Sequence, residues 1–147
     1  MIYYTNGDIL TDNYKIFCHQ VNCQRVMGAG LAKQIKDKYP EVYQAYQDRE
    51  YPYLGAIDWI PTSDDRICVN MYAQKFYGRD QRYTDYIAFV DCLNEIENEI
   101  ITLPKEWSIA FPYGIGCNLG GGDWRIIGML LKDFSKRINQ DVIVIRK

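Results

Sequence analysis

A chain of 147 residues with 48% apolar and 24% charged positions has the ordinary make-up of a soluble globular domain and enough length to bury a core. Its 17 basic and 19 acidic residues leave a net charge of −2, which excludes a broad electrostatic footprint for duplex nucleic acid while leaving room for a local basic pocket. Five scattered cysteines without a CxxC pair (Cys18, Cys23, Cys68, Cys92, Cys117) exclude a disulfide framework and the usual zinc spacing.

In chain order, Met1 to Tyr4 is a short β-prone run closed by the turn signal Asn6-Gly7-Asp8. No basic region leads into an apolar stretch there, and no stretch approaches the ~20 residues that span a bilayer. A cytoplasmic protein without a membrane partner is expected. Lys15 to Val21 predicts a second strand. A loop through Met27-Gly28-Ala29-Gly30 then enters a helix over 31–38. Pro40 suits the first turn of another helix, with Val42, Tyr43 and Tyr46 at helical spacing. Leu54 to Ile60 and Arg66 to Tyr72 read as strands. Tyr86, Phe89, Val90, Leu93, Ile96 and Ile100 fall three and four apart, the mark of an amphipathic helix. Trp107 to Phe111 predicts a strand, Trp124 to Ile138 a long helix, and Val142 to Ile145 a last strand.

The order β-β-α-α-β-β-α-β-α-β implies one layered α/β domain with largely parallel pairing in its second half. Ligands of such sheets sit beyond the carboxyl ends of the strands. Both glycine-rich segments, 28–30 and 114–122, follow a strand and precede a helix, so both can line one cleft.

Five glycines between Gly114 and Gly122 carry an entropic cost that close backbone approach to an anion would explain. This is not the dinucleotide fingerprint, which needs a βαβ unit with an acidic residue downstream. Gly28 and Gly30 would let N–H groups at a helix start face phosphate, or would merely let the chain turn. Asp8 could accept from an exocyclic amine and so select adenine, or could cap a turn. Asn22 could bond a ribose hydroxyl or a water, or could cap its own loop. His19, the sole histidine, fits a general acid/base or a hydrogen-bonded core residue. Cys18 and Cys23 beside it read as buried, inert thiols. Asp123 could serve as a base on water, yet aspartate before Trp124 also makes a good helix N-cap.

Taken together, Gly7-Asp8-Ile9-Leu10, then His19 to Cys23 with Met27 to Ala32, then Ile115 to Leu119 with Gly121-Gly122-Asp123-Trp124 resemble the macro domain family over nearly the whole chain. Within that family the chain is similar to the small branch holding terminal ADP-ribose glycohydrolase, the yeast ADP-ribose 1″-phosphate phosphatase, and antitoxin domains that strip ADP-ribose from DNA. The resemblance implies a single three-layer α/β/α domain over residues 1–147, with a mixed, largely parallel sheet of about six strands. It implies ADP-ribose or a derivative as ligand, ADP-ribosylated protein or nucleic acid as partner, and neither cofactor nor metal. Asp8 and Ile9 would hold adenine. Asn22 with Met27, Gly28, Ala29 and Gly30 would hold the distal ribose and part of the pyrophosphate. Gly114, Ile115, Gly116, Cys117 and Asn118 would wrap the phosphates, with Tyr113 a candidate aromatic. The implied activity is hydrolysis of a group from the distal ribose; the alternative is a reader that binds without chemistry. Glycohydrolase members attack with a lysine where this chain has Gln74, and Lys75 stands one place later. An assisting aspartate of one such enzyme matches Gly120. The remaining catalytic candidates are Asn22, His19 and Asp123.

Overall fold

The computed structural model describes residues 1–147 and places ten elements in the expected order. These are β1 (Ile2–Asn6), β2 (Ile16–Asn22), α1 (Gly30–Lys38), α2 (Pro40–Asp48), β3 (Ile57–Pro61), β4 (Ile67–Gln74), α3 (Tyr86–Ile100), β5 (Ile109–Pro112), α4 (Trp124–Arg137) and β6 (Val142–Arg146). One six-stranded sheet runs β1-β6-β5-β2-β4-β3, parallel throughout except for the antiparallel β3–β4 edge pair.

The two apolar faces of the sheet explain the layers. On β2, Ile16 and Cys18 join the cluster under α3 and α4, whereas Phe17 and Val21 join the cluster under α1 and α2. That alternation is the period-two geometry of a strand buried on both sides. Helices α3 and α4 pack Phe89, Leu93, Ile96, Ile127, Leu131 and Phe134 on one face. The opposite face takes Ile35 from α1 and Val42 and Tyr46 from α2. No helix is long and apolar enough to cross a membrane.

Two strands begin later than their apolar runs suggest. Leu54 and Gly55 belong to a turn: Gly55 has φ +91, its N–H reaches Tyr72 O at 2.9 Å, and β3 starts only at Ile57. Trp107 closes a turn through its N–H to Pro104 O, so β5 starts at Ile109.

The centre of the sheet is only partly laced. Strand β2 pairs with β4 along its whole length but with β5 only at Ile16–Ile109 and Phe17–Ala110. Beyond Phe17 the two strands part. The opening lies at their carboxyl ends, where the order of the sheet departs from the order of the chain.

Candidate functional site

The opening is a cleft of ≈ 460 Å³ lined by the ends of β2 and β5, both glycine-rich loops and the segment Tyr77-Gly78-Arg79 after β4. A smaller cavity of ≈ 210 Å³ adjoins it, lined by Asp8, Ile9, Gln34 and Lys147 among others. The two share Gly30, Leu31, Pro112 and Tyr113 as walls, so together they form one elongated groove.

The first loop is held from below. Asn22 Oδ1 accepts from Gln24 N at 2.9 Å and from the Tyr46 hydroxyl at 2.7 Å, and Asn22 Nδ2 donates to Val26 O at 2.9 Å. The Arg25 guanidinium, from a left-handed residue at φ +64, binds the carbonyls of Gln47 and Arg49 at the end of α2. The chain then runs extended into α1, whose N-cap Ala29 offers no side-chain cap. The N–H groups of Gly28, Ala29, Gly30, Leu31 and Ala32 donate to nothing within the chain, and all five residues line the cleft. An uncapped helix start with free donors is a place for an anion.

The second loop presents the complementary wall. Gly114 and Gly116 adopt φ +81 and +75, which turns successive amides the same way. The N–H groups of Gly114, Gly116, Asn118, Leu119 and Gly120 find no partner in the chain, and these residues too line the cleft. Behind them the loop is braced: Thr84 Oγ1 donates to Gly116 O at 2.6 Å, and the amides of Tyr83 and Thr84 donate to Gly120 O at 2.8 and 2.9 Å. Gln20 Nε2 completes the brace with 2.8 Å bonds to Thr84 Oγ1 and Gln74 Oε1.

The structure brings most of the expected residues together. Asp8 and Ile9 line the smaller cavity; His19, Asn22, Gly28, Ala29, Gly30, Gly114, Ile115, Gly116 and Asn118 line the larger one; Tyr113 lies between the two. Met27 and Cys117 are not among the lining residues; Met27 is buried in the core and Cys117 packs against the other cluster. The Asp8 carboxylate also serves its turn. It accepts from Leu10 N at 2.9 Å and pairs with Lys147 at 3.1 Å, and these bonds, the Leu10 amide foremost, hold it below the usual carboxylate range.

Two catalytic candidates do not reach the cleft lining. Asp123 caps α4 by accepting from Arg125 N at 2.9 Å and pairs with the Arg125 side chain, so its carboxylate is spent on the helix start. Lys75 Nζ lies over the Phe76 ring, 5.6 Å from its centroid, while the Lys75 carbonyl accepts from Cys23 N and Gln24 Nε2. Gln74 lines the cleft instead. Asn22 is present, but with its oxygen and one amide hydrogen engaged by its own loop and by Tyr46. Burial raises the thiols of Cys18 and Cys23 above their ordinary value, so neither is an activated thiolate.

Sequence inspection misses Gln20, Thr84, Tyr77 and Arg79 as parts of the site. The one available signal was Gln20 beside His19, two polar residues interrupting an apolar strand near its carboxyl end. No group of three or more His, Cys, Asp or Glu side chains is arranged to hold a metal ion.

His19 is buried, and burial lowers its pKa from 6.5 to about 4 against the raising influence of Asn70 and Asp58. From pH 6.5 down to about 4, the unfolded chain takes up a proton that the folded chain refuses, so stability must fall as the pH drops through that window. Urea midpoints should show the protein losing about 2 kcal/mol more than its His19→Gln variant between about pH 7 and about pH 5. Parallel losses in the two proteins would show that His19 titrates normally.

No protein-family model matches the chain. A DNA ADP-ribosyl glycohydrolase of Mycobacterium bovis is 45% identical over 155 residues, which take in 98% of this chain and 42% of that protein. The chain thus spans about two-fifths of the length of the curated relatives it matches first. The macrodomain of Mycobacterium tuberculosis DarG superposes with a TM-score of 0.85 at 26% identity, covering 99% of this chain and 97% of the other. Thermosipho africanus DarTG, solved in complex with ADP-ribose, superposes at TM-score 0.79 and 21% identity over 96% of this chain and 40% of that one.

Proposed function

Because this chain is a macro domain, we propose that it binds ADP-ribose along the groove and hydrolyses the bond between the distal ribose and an attached group. The observation that carries the proposal is the meeting of two sets of free amides, Gly28 to Ala32 and Gly114 to Gly120, across one cleft. Donors fixed by the fold are matched to a diphosphate and need no reorganisation when it arrives. Asp8 and Ile9 in the smaller cavity suit the adenine end, which leaves the distal ribose beside His19, Asn22 and Gln74. The relatives named for DNA ADP-ribosyl glycohydrolysis favour DNA as the attached group.

Neither lysine nor carboxylate lines the larger cavity. Cleavage in this chain therefore uses water aligned against the ribose, with His19 the one imidazole at hand. The test is to incubate the protein with an ADP-ribosylated DNA oligonucleotide, an ADP-ribosylated protein and ADP-ribose 1″-phosphate, and to follow release by chromatography. Release from DNA is expected, and Lys75→Ala and Asp123→Asn should keep turnover within about threefold of the parent. Absence of heat on titration with ADP-ribose would end the proposal. A second reading, a module that binds without chemistry, is favoured by Gln74, whose amide cannot form the covalent adduct an amine can. Firm binding with no product from all three substrates would establish it.

A further inference from the structure

Beneath the cleft a polar chain crosses three strands. Asp58 on β3, Asn70 on β4 and His19 on β2 are register partners across the sheet, and Asn70 is fully buried. The Asp58 carboxylate receives Arg49 Nη1 at 2.8 Å, the Tyr72 hydroxyl at 2.6 Å and Asn70 Nδ2 at 3.0 Å. A carboxylate paired with a guanidinium only accepts, so the Asn70 amide must turn its NH2 toward Asp58 and its oxygen toward His19. His19 Nε2 lies 2.5 Å from that oxygen and must therefore carry a hydrogen. Burial keeps the ring neutral near pH 7, which leaves Nδ1 a bare acceptor. That nitrogen is buried and has no donor within the fold, yet its residue lines the cleft. A buried acceptor left alone is costly and rare.

We propose that Arg49, Asp58 and Asn70 are positioning residues that lock His19 with its hydrogen on Nε2, so that Nδ1 accepts a hydrogen bond from a hydroxyl of the ligand's distal sugar. The inference rests on the cleft being an ADP-ribose site. An ionised phosphate diester has no hydrogen to give, so this acceptor discriminates for a sugar hydroxyl among amides that all call for an anion. The smaller cavity with Asp8 does not include His19, which puts the acceptor at the end of the groove away from adenine.

The protein's single histidine makes the test clean. In protein labelled with 15N-histidine, a long-range proton–nitrogen spectrum near neutral pH should show one tautomer, hydrogen on Nε2 and none on Nδ1. Saturation with ADP-ribose, verified by calorimetry on the same sample, should move the Nδ1 resonance toward its hydrogen-bonded position. ADP, which lacks the distal sugar, should leave it in place. Asn70→Leu should scramble the tautomer and weaken ADP-ribose binding about tenfold, with ADP changed less than about twofold. The wild-type spectra stand even if that variant folds poorly. A hydrogen on Nδ1 in the free protein overturns the proposal, as does an Nδ1 resonance that stays still while ADP-ribose binds or responds equally to ADP. If ADP-ribose does not bind at all, the reading of the cleft falls and takes this inference with it.

Discussion

Gly120→Ala should lower ADP-ribose affinity about a hundredfold, or ~2.7 kcal/mol, and lower the melting temperature by roughly 3–8 °C. A Cβ at Gly120 would stand 2.4 Å from Thr84 Oγ1, 2.8 Å from the Gly116 carbonyl and 3.0 Å from Gln20 Nε2. None of these can retreat cheaply. Thr84 is tied at once to Gly116 and Gln20, and the Gly120 carbonyl is itself held by the amides of Tyr83 and Thr84. The loop must shift as a unit, and its free N–H groups lose their common aim. Calorimetric titration checks the affinity, and Gly28→Ala serves as the stability control, since its Cβ would meet only Val26 Cγ1 at 3.7 Å. An affinity within about threefold of the parent would mean that the second loop does not hold the ligand.

Arg66→Met should cost about 3–5 kcal/mol of unfolding free energy, read from urea midpoints at constant slope. Arg66 is buried and lies 4.1 Å over the Phe17 ring. Its Nε donates to Tyr14 O at 2.8 Å, Nη2 to Ile9 O at 3.0 Å and Nη1 to Leu10 O at 3.3 Å. Methionine fills the space and leaves the carbonyls of Tyr14 and Ile9 without donors, while Leu10 O keeps its bond from Lys38 Nζ. Because one of them belongs to Ile9, next to Asp8, the turn carrying Asp8 should loosen and ADP-ribose affinity should fall about tenfold as well. Arg66→Lys should recover only a part of the loss, since one ammonium cannot reproduce the planar fork. A variant as stable as the parent would show that these bonds contribute no net stability.

Helices α3 and α4 were legible because their apolar residues recur at three and four over the full length that packs. The common direction of β4, β5 and β6 followed from the alternation of strands with those helices, although β2 stands between β4 and β5. The start of β3 was not legible. Leu54 to Ala56 is as apolar as a strand, and only the left-handed Gly55 shows that the chain is still turning. At the site, glycine spacing revealed both loops, because free amides need no side chain to announce them. Side chains were harder. Asn22, Asp8 and Asp123 each sit where a cap and a ligand contact demand the same atoms, and the difference depends on which neighbour the fold sets against each side chain. For Asn22 the decisive neighbour is Tyr46 on α2; for Asp123 it is Arg125, which turns the carboxylate to the helix start. Asn70 gave no hint beyond being a polar residue in an apolar strand, and Thr84 gave none.

The parting of β2 and β5 after two rungs has a mechanical consequence. The strands β1-β6-β5 and β2-β4-β3 form two panels, each carrying one of the amide-lined loops, joined along half a seam. An occupant bonded to both loops acts as a rivet where the ladder has none. Occupancy is then registered as stiffness across the middle of the sheet, and the slowest-exchanging amides should spread from the closed end of the seam toward the open one.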